Sequence, residues 1–597
     1  MRRASFVWTI AGSVTAFFCF AVYSTVHSQA PAQAPGDAAL TGQVSSQEEG
    51  PMEGVVIGAS QEGSTITQHV VSDANGRFSF PRDRMSAGRY SIRVGRATGY
   101  ELEKNPGSIE LAGGQPARVD LKLRKVQDLA VIASQLTNAE WMMSAPGTEE
   151  QKRGMYECER CHSLHTVLKT SYNVDQWMQV LRRMTYYIGS TPNKPQRRPR
   201  PTDAERAHIE RHNQVLWGRR GLPPRQGGGD EMGGGSGEAR RMARAEWLAT
   251  ANLSAAPTWS YEFKTLPRAT GRGTRVLITE YTLPRRETMV HDAACCDPDG
   301  MVWYADFGSQ FVGKLDPKTG RVTEYAVPKL KPEYPEGLMD VRFDKQGNVW
   351  FGMMAQGGLA KFGRETQKIQ AWSLPEEVNG ANSQVAMVMP HFAHVDGKVW
   401  TNNVGPRTVH RFDVKTEKWE TLDPYATFRE NDEGQSTYGI NADSRNNLYA
   451  NSRQGGYIGR IDAKTLEVKF FRPPTPHAGP RRGRMDLQDR LWVALSDVDK
   501  IGMLDPKADG IREWDVPTPF TQTYDVTADN FGDIWMGGES SDFIYRLDPK
   551  TSQFTMYPLP KVHVNIRRVD VDSSQGRPIF WVGDDHSPTI YRVEPLD

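Results

Sequence analysis

Two hydrophobic periods divide the chain. From about residue 276 onward, short runs alternate apolar and polar residues, the period of a strand with one buried face. Each run leads through a turn to an aromatic residue. The segments are "DPDGMVW" ending at Trp303, "DKQGNVW" at Trp350, "HVDGKVW" at Trp400, "DSRNNLY" at Tyr449, "DLQDRLW" at Trp492, "DNFGDIW" at Trp535 and "GRPIFW" at Trp581. Successive aromatics stand 43 to 50 residues apart. A second landmark follows in most units, as in Leu315-Asp316-Pro317 and Leu547-Asp548-Pro549, and a third closes them, as in "TEYAVP" and "TMYPLP". Seven units of four short strands predict a seven-bladed β-propeller over residues 270–597. The last unit reaches Val593-Glu594-Pro595 without an outer strand, while an unmatched strand, 276–284, precedes the first. That strand is expected to complete the seventh blade and remove the open edges.

Alternating segments also fill residues 38–125: Leu40–Val44, Val55–Ala59, Phe78–Phe80 and Tyr90–Val94, separated by turn signals such as Asp73-Ala74-Asn75-Gly76. They predict a small β-sandwich. The stretch 130–254 is different. Trp177, Val180, Leu181 and Met184 recur at helical spacing, a second helix is expected over Glu238–Ala249, and Gly147–Glu157 suits a first one. Between them, Pro192–Gly237 is rich in Pro, Arg and Gly and reads as one long loop insertion. The predicted fold is therefore multidomain and mainly β, with a β-sandwich, a small α-helical domain and a propeller. At the start, Arg2 and Arg3 precede an apolar run from Phe6 to Val26 and an Ala/Pro-rich segment. This reads as a signal peptide over 1–28, cleaved after Ser28 or Ala30, with an uncleaved membrane anchor as the alternative. The expected location is periplasmic or secreted, with no membrane association unless the signal is retained.

Charge excludes one class of function. A net charge of +1 over 597 residues gives no footprint for nucleic acid. Cysteine usage is more telling. Of five cysteines, two stand in Cys158-Glu159-Arg160-Cys161-His162. Two thiols three residues apart can each add to one haem vinyl group, and the next residue is placed to bind iron. The sequence thus implies one covalent haem c, with Cys158 and Cys161 as attachment points and His162 as proximal ligand. A redox Cys-x-x-Cys or half of a zinc site is the competing reading, but a second pair of zinc ligands is missing. Met184 closes a "W..VL.RM" helix that resembles the distal-ligand segment of short c-type cytochromes, which makes it the first choice for the sixth ligand. His165, Met178, His208 and His212 are the alternatives. The adjacent Cys295 and Cys296 are expected to be buried thiols, Cys296 in the core, with a vicinal disulfide as the other outcome.

Two further resemblances add detail. The order "GQV…GVVIGA…SDANGRFSF…AGRYSIRV…GY" resembles carboxypeptidase regulatory-like domains, which implies a carbohydrate-binding-like fold for 38–125. No aromatic platform is seen there, so a spacer or docking role is expected. The repeats resemble the streptogramin (virginiamycin B) lyase propellers. That resemblance implies a site of two His and acidic residues, with magnesium, at the mouth of the last two blades. Counted from the blade aromatics, the two His positions hold Tyr524 and Arg567, the Glu position holds Asn565, and only Asp585 keeps an acid. Lyase chemistry is therefore not expected at that site. The inner-strand positions that line the channel carry His291, Asp292, Asp340, Tyr438, Arg481, Arg482, Tyr524, Asp525, Arg567 and Arg568, with His391 close by. Arg481, Tyr524, Arg567 and Asp585 are the candidate catalytic or binding set for a small anionic substrate. The same Arg residues can instead hold the blades together through Arg–Asp pairs, or receive haem propionates or a docked domain.

The function expected from sequence is electron transfer by an exported mono-haem c protein with a periplasmic redox partner. If it is an enzyme, a haem c-linked oxidoreductase with substrate at the propeller mouth is expected. The alternatives are a streptogramin-type lyase and a non-enzymatic docking or sensor propeller.

Overall fold

The computed structural model describes residues 38–184, 187, 194–199, 237–425, 437–453, 455–508 and 510–596. The expected signal segment 1–28, His208, His212 and most of the Pro192–Gly237 insertion lie outside the described residues.

Six four-stranded antiparallel sheets follow one another from Val290 to Pro558, and a seventh is assembled from both ends of the propeller. Their inner strands are Val290–Ala294, Met339–Phe343, Val388–Met389, Gly439–Ala442, Pro480–Met485, Thr523–Ala528 and Val569–Asp572. The repeating aromatic sits on the second strand of each blade, and the turn before it explains the motif. In the first blade, Asp297 accepts the amides of Asp299 and Met301 through Oδ1 and the Trp303 indole N–H through Oδ2, at 2.9 Å. Asp344, Asp486 and Asp529 bind Trp350, Trp492 and Trp535 in the same way. One carboxylate thus satisfies a turn and a buried indole together. In the third blade the equivalent residue is His394, and the Trp400 indole N–H turns to the carbonyl of Asn446 instead.

The ring is closed by strand pairing. Val276–Thr282 runs antiparallel to Thr589–Pro595, from Val276 opposite Pro595 to Thr282 opposite Thr589. Its other edge does not face water. It pairs with Ile66–Val71 of the sandwich, Leu277 opposite Val70 and Tyr281 opposite Ile66. Blade seven therefore continues into Ile66–Val71, Val56–Gln61, Gly88–Arg96 and Ser108–Leu111 as one eight-stranded sheet. Leu277 of the propeller belongs to the sandwich core with Leu40, Phe80, Ile57, Val70 and Leu121. Inside the junction, the buried carboxylate of Glu280 meets His69 Nε2 at 2.9 Å, Arg93 at 2.8 Å and Lys561 at 2.6 Å.

The described part of the segment between sandwich and propeller is mainly helical. It comprises Leu129–Gln135, Asn138–Ser144, Glu149–Arg153, Tyr156–Glu159, Leu164–Leu168, Val174–Met184 and Gly237–Ala251. The helix expected over Gly147–Glu157 is two short pieces with Gly154 as the C-cap of the first. Thr137 and Glu140 form a capping box that fixes the entry to Asn138–Ser144. Trp141, Met142, Leu164, Trp177, Met178, Trp247 and Leu248 pack as its core. No helix among the described residues is long and apolar enough to cross a membrane.

Candidate functional site

The channel side chains come together as three connected groups. Arg481 and Arg567 converge on Glu539, with Arg481 Nη1 at 2.8 Å from Oε2 and Arg567 Nε at 3.2 Å from Oε1. Arg567 also reaches Asp585 at 3.4 Å and donates to Asn565 Oδ1. The next group is Tyr438, Tyr524, His291, Asp292 and Arg482. The two phenols are hydrogen-bonded to each other, Tyr524 OH lies 3.3 Å from His291 Nε2, and His291 Nδ1 lies 2.6 Å from Asp292. Arg482 closes on the other oxygen of Asp292 at 2.6 Å. The Arg481 guanidinium lies 3.6 Å above the Tyr524 ring, a cation–π contact. The last group is Asp340 with Arg342 and Arg568, both at 2.9 Å, and Asp570 with Arg568 and Arg484. His391 is exposed beside Arg342, Arg484 and Arg568.

Charge in this channel is set by competition between burial and pairing. Burial alone would raise the Asp292 carboxyl, but His291 and Arg482 outweigh it and hold it well below the usual range. Burial pushes His291 down to about 4, so it is neutral at pH 7. Each of the four arginines found in sequence has a carboxylate partner: Arg481 with Glu539, Arg482 with Asp292, Arg567 with Glu539 and Asp585, Arg568 with Asp340. All of these pairs except Arg567–Asp585 bridge different blades, as Asp292 and Arg482 or Asp340 and Arg568 do. Asp585 meets Arg567 as an ion pair but without a hydrogen bond. Its carboxyl is completely buried, neither oxygen has a hydrogen bond, and burial raises its pKa well above the ordinary value.

The Cys158–His162 stretch sits on this end of the channel. Arg567 Nη2 donates to the carbonyl of Arg160 at 3.1 Å. Glu159, also buried, is held by Asn138 Nδ2 at 2.9 Å and by Ser540 of blade six at 2.7 Å. Burial and the neighbouring Glu539 push Glu159 up to about 8, whereas Arg481 and Arg567 keep Glu539 ionised despite its burial. Around them, Ala139 N donates to Ser540 O at 2.8 Å, His563 Nε2 lies 2.8 Å from Leu136 O, and Arg153 pairs with Asp499 at 2.9 Å. The helical segment is therefore seated on blades five to seven.

Within that stretch neither Cys158 nor Cys161 is in a disulfide. Burial raises the Cys158 thiol to about 11. His162 has a buried Nδ1 with no hydrogen-bond partner. On Val174–Met184, Trp177 and Met178 are buried and Met184, at the C-terminal end, is 39% exposed. His165 stacks on Trp141 at 5.9 Å and on His563 at 6.4 Å.

Cys295 and Cys296 depart from the expectation of two buried thiols. They form a disulfide; Cys295 is buried and Cys296 is exposed, not in the core. The reason is local: Cys296 adopts a left-handed φ of 73°, which ends the inner strand and turns its side chain out.

Tyr524, Arg567, Asn565 and Asp585, aligned by sequence, do meet at one place. Glu539, Glu159 and Ser540 were not singled out. Glu539 had a signal: it lies four residues after Trp535, as Asp585 lies four after Trp581. Glu159 and Ser540 had none, since their meeting depends on how two domains dock.

Residues 39–124 match the carboxypeptidase regulatory-like domain. No curated protein sequence matches the chain. Among solved structures, a virginiamycin B lyase from Staphylococcus aureus is 21% identical, covers 53% of this chain and 99% of its own, and has a TM-score of 0.45. A streptogramin B lyase is 19% identical over 54% of this chain and 99% of its own, with a TM-score of 0.46. The RRP9 WD40 repeats are 12% identical over 53% and 97%, with a TM-score of 0.41. None of these likenesses bears on what the chain does.

Proposed function

We propose that the chain is an exported mono-haem c protein that passes single electrons to or from a redox partner, and that its propeller is the base on which the haem segment is seated. The observation that carries this reading is the Cys158-x-x-Cys161-His162 stretch. The donor set fits a covalently held haem: two thiols outside any disulfide, followed at once by an imidazole with a buried, unpartnered ring nitrogen. A haem bound there would supply one-electron exchange at its iron. Cys158 and Cys161 would hold it as thioethers, and His162 would supply an imidazole nitrogen to the metal. Met184 is the proposed second ligand, with Met178 and His165 as the described alternatives. Arg567 and Ser540 fix the register of the stretch through Arg160 and Glu159.

The propeller side argues for seating over turnover. The four channel arginines are already matched by carboxylates, and Arg567 is engaged with the Arg160 carbonyl. A small anion bound at Arg481, Tyr524, Arg567 and Asp585 would have to displace these partners. Lyase chemistry has less support, because the two family His positions hold Tyr524 and Arg567, and the neutral imidazole beside them, His291, is already engaged by Asp292 and Tyr524.

The test is a visible spectrum of the protein, oxidised and dithionite-reduced, after expression with a haem c maturation system. A sharp reduced α-band that survives acid–acetone extraction is expected, and Cys161→Ala should weaken that retention. Met184→Ala should change the oxidised spectrum and the midpoint potential; an unchanged spectrum would remove Met184 from the ligand set. Wild-type protein that matures without covalent haem would end the reading.

A further inference from the structure

An open pocket of about 1090 Å³ lies where the sandwich meets blades one and seven. Gln61, Arg84 and Tyr90 of the sandwich, Trp581 of blade seven, and Cys295 and Cys296 of blade one are on its wall. Two arginines of this wall, Arg84 and Arg592, share the carboxylate of Glu594. The reactive group on this wall is the Cys295–Cys296 bond.

That bond is poorly suited to be a staple. A disulfide stabilises chiefly by closing a loop of unfolded chain, and the gain grows with loop length. Neighbouring residues enclose no loop. The bond is instead accessible, because Cys296 is exposed to the pocket while Cys295 is buried. It is also wired into the propeller. Cys295 N donates to Asp570 Oδ2 at 3.2 Å, and Asp570 pairs with Arg568 and Arg484 of the channel. The turn that follows holds Trp303 through Asp297.

We propose that Cys295–Cys296 is a thiol–disulfide exchange centre that a dithiol reaches through this pocket. A thiolate of the dithiol attacks the exposed Cys296 Sγ. The Sγ–Sγ bond breaks, and its electron pair leaves on Cys295 Sγ, which takes up a proton. The second thiol of the reductant loses its proton and attacks its own sulfur in the mixed disulfide, releasing Cys296, which is protonated in turn. The protein gains two electrons and two protons, and the dithiol becomes a disulfide. Reduction frees the left-handed turn at Cys296 to relax and alters the Asp570 contact, so the state of the bond is transmitted to the channel. This site does not depend on the haem reading.

The experiment uses the full-length, air-oxidised protein under native conditions. Iodoacetamide alone should leave Cys295 and Cys296 unmodified. After dithiothreitol, both should be alkylated in the peptide mass spectrum, and tryptophan fluorescence should change with the same midpoint. The native reduction rate should fall within about tenfold of the rate in guanidinium, as for an accessible disulfide. Cys296→Ser should give the reduced-type fluorescence without added thiol. Alkylation before reductant would mean that the bond does not form. Reduction seen only after denaturation would mean that it is closed to a dithiol. Either result overturns the proposal.

Discussion

Arg482 and Arg568 are fully buried cations, and their worth lies in what they hold across the channel. Arg482 grips Asp292 of blade one from blade five, and Arg568 grips Asp340 of blade two from blade seven. Removing one partner strands the other in a place with little water, which typically costs about 3–5 kcal/mol. Asp292→Ala is therefore expected to lower the unfolding free energy by about that amount, because it also leaves His291 Nδ1 without its carboxylate. Asp292→Leu combined with Arg482→Met should recover much of the loss, since it removes both charges. Denaturant titration of the single and double variants measures the coupling; a double-variant loss equal to the sum of the two single losses would show that the pair is incidental. These positions were legible because the first residues of each inner strand line the channel mouth, and counting from the blade aromatic gives their register. What could not be read was the partner of each arginine. A ring of seven strands offers each cation several carboxylates, and the choice is made by three-dimensional packing.

The eight-stranded sheet is the element that sequence reading did not contain. The strands Leu40–Val44, Phe78–Phe80 and Tyr90–Val94 lie within observed ones and Val55–Ala59 overlaps Val56–Gln61, but Ile66–Val71 was not among them, and it is the strand that joins sandwich to propeller. Its sequence, Ile-Thr-Gln-His-Val-Val, alternates weakly, with His69 at a position now fully buried. A buried His reads as polar until its carboxylate partner, Glu280, is known to be across the ladder. The short helices around residue 154 were hidden for a similar reason, since caps and docking, not periodicity, define them. The junction makes a pH prediction. Burial alone would raise Glu280, but His69 and Lys561 outweigh it and bring it down to about 2. A depressed carboxylate adds stability that is complete above its ordinary value, near 4.5, and is lost as pH falls toward 2. Burial lowers His69 as well, so protonation of the unfolded chain begins to cost stability below about pH 6.5. Both terms have the same sign. Wild type is expected to lose roughly 3 kcal/mol through Glu280 across that acid range, and Glu280→Gln should not show that part of the loss. Urea midpoints for the two proteins between pH 7 and pH 3 should converge on acidification; parallel curves would place the acid sensitivity elsewhere.

At the scale of the whole molecule, both added domains lean on the same sector of the ring. The sandwich extends blade seven and sends Arg96 to the carbonyls of Ser541 and Asp542 in blade six. The helical segment rests on Asp499, Ser540 and Arg567 of blades five to seven. This sector is where the ring is fastened by strand pairing between distant parts of the chain, so the sandwich guards the seam as well as decorating it. The consequence can be tested by a chain that begins at residue 126. Such a chain still contains Val276–Thr282 and its partner Thr589–Pro595, so blade seven retains four strands and the ring can close. It loses the Ile66–Val71 partner. The outer edge of Val276–Thr282 would then present unpaired backbone groups and expose Leu277, the conditions under which an edge strand pairs with another copy. The truncated protein is expected to self-associate, seen by light scattering as dimers and larger species. Thr279→Pro should not be used to block the edge, because it would also break the pairing to Thr589–Pro595 that closes the ring. Leu277→Lys on the truncated chain is the better control, since a charge on an edge strand opposes edge-to-edge pairing. It should restore the monomer while leaving circular dichroism unchanged. A truncated chain that stays monomeric with an unaltered melting temperature would show that the eight-stranded sheet is contiguity without dependence.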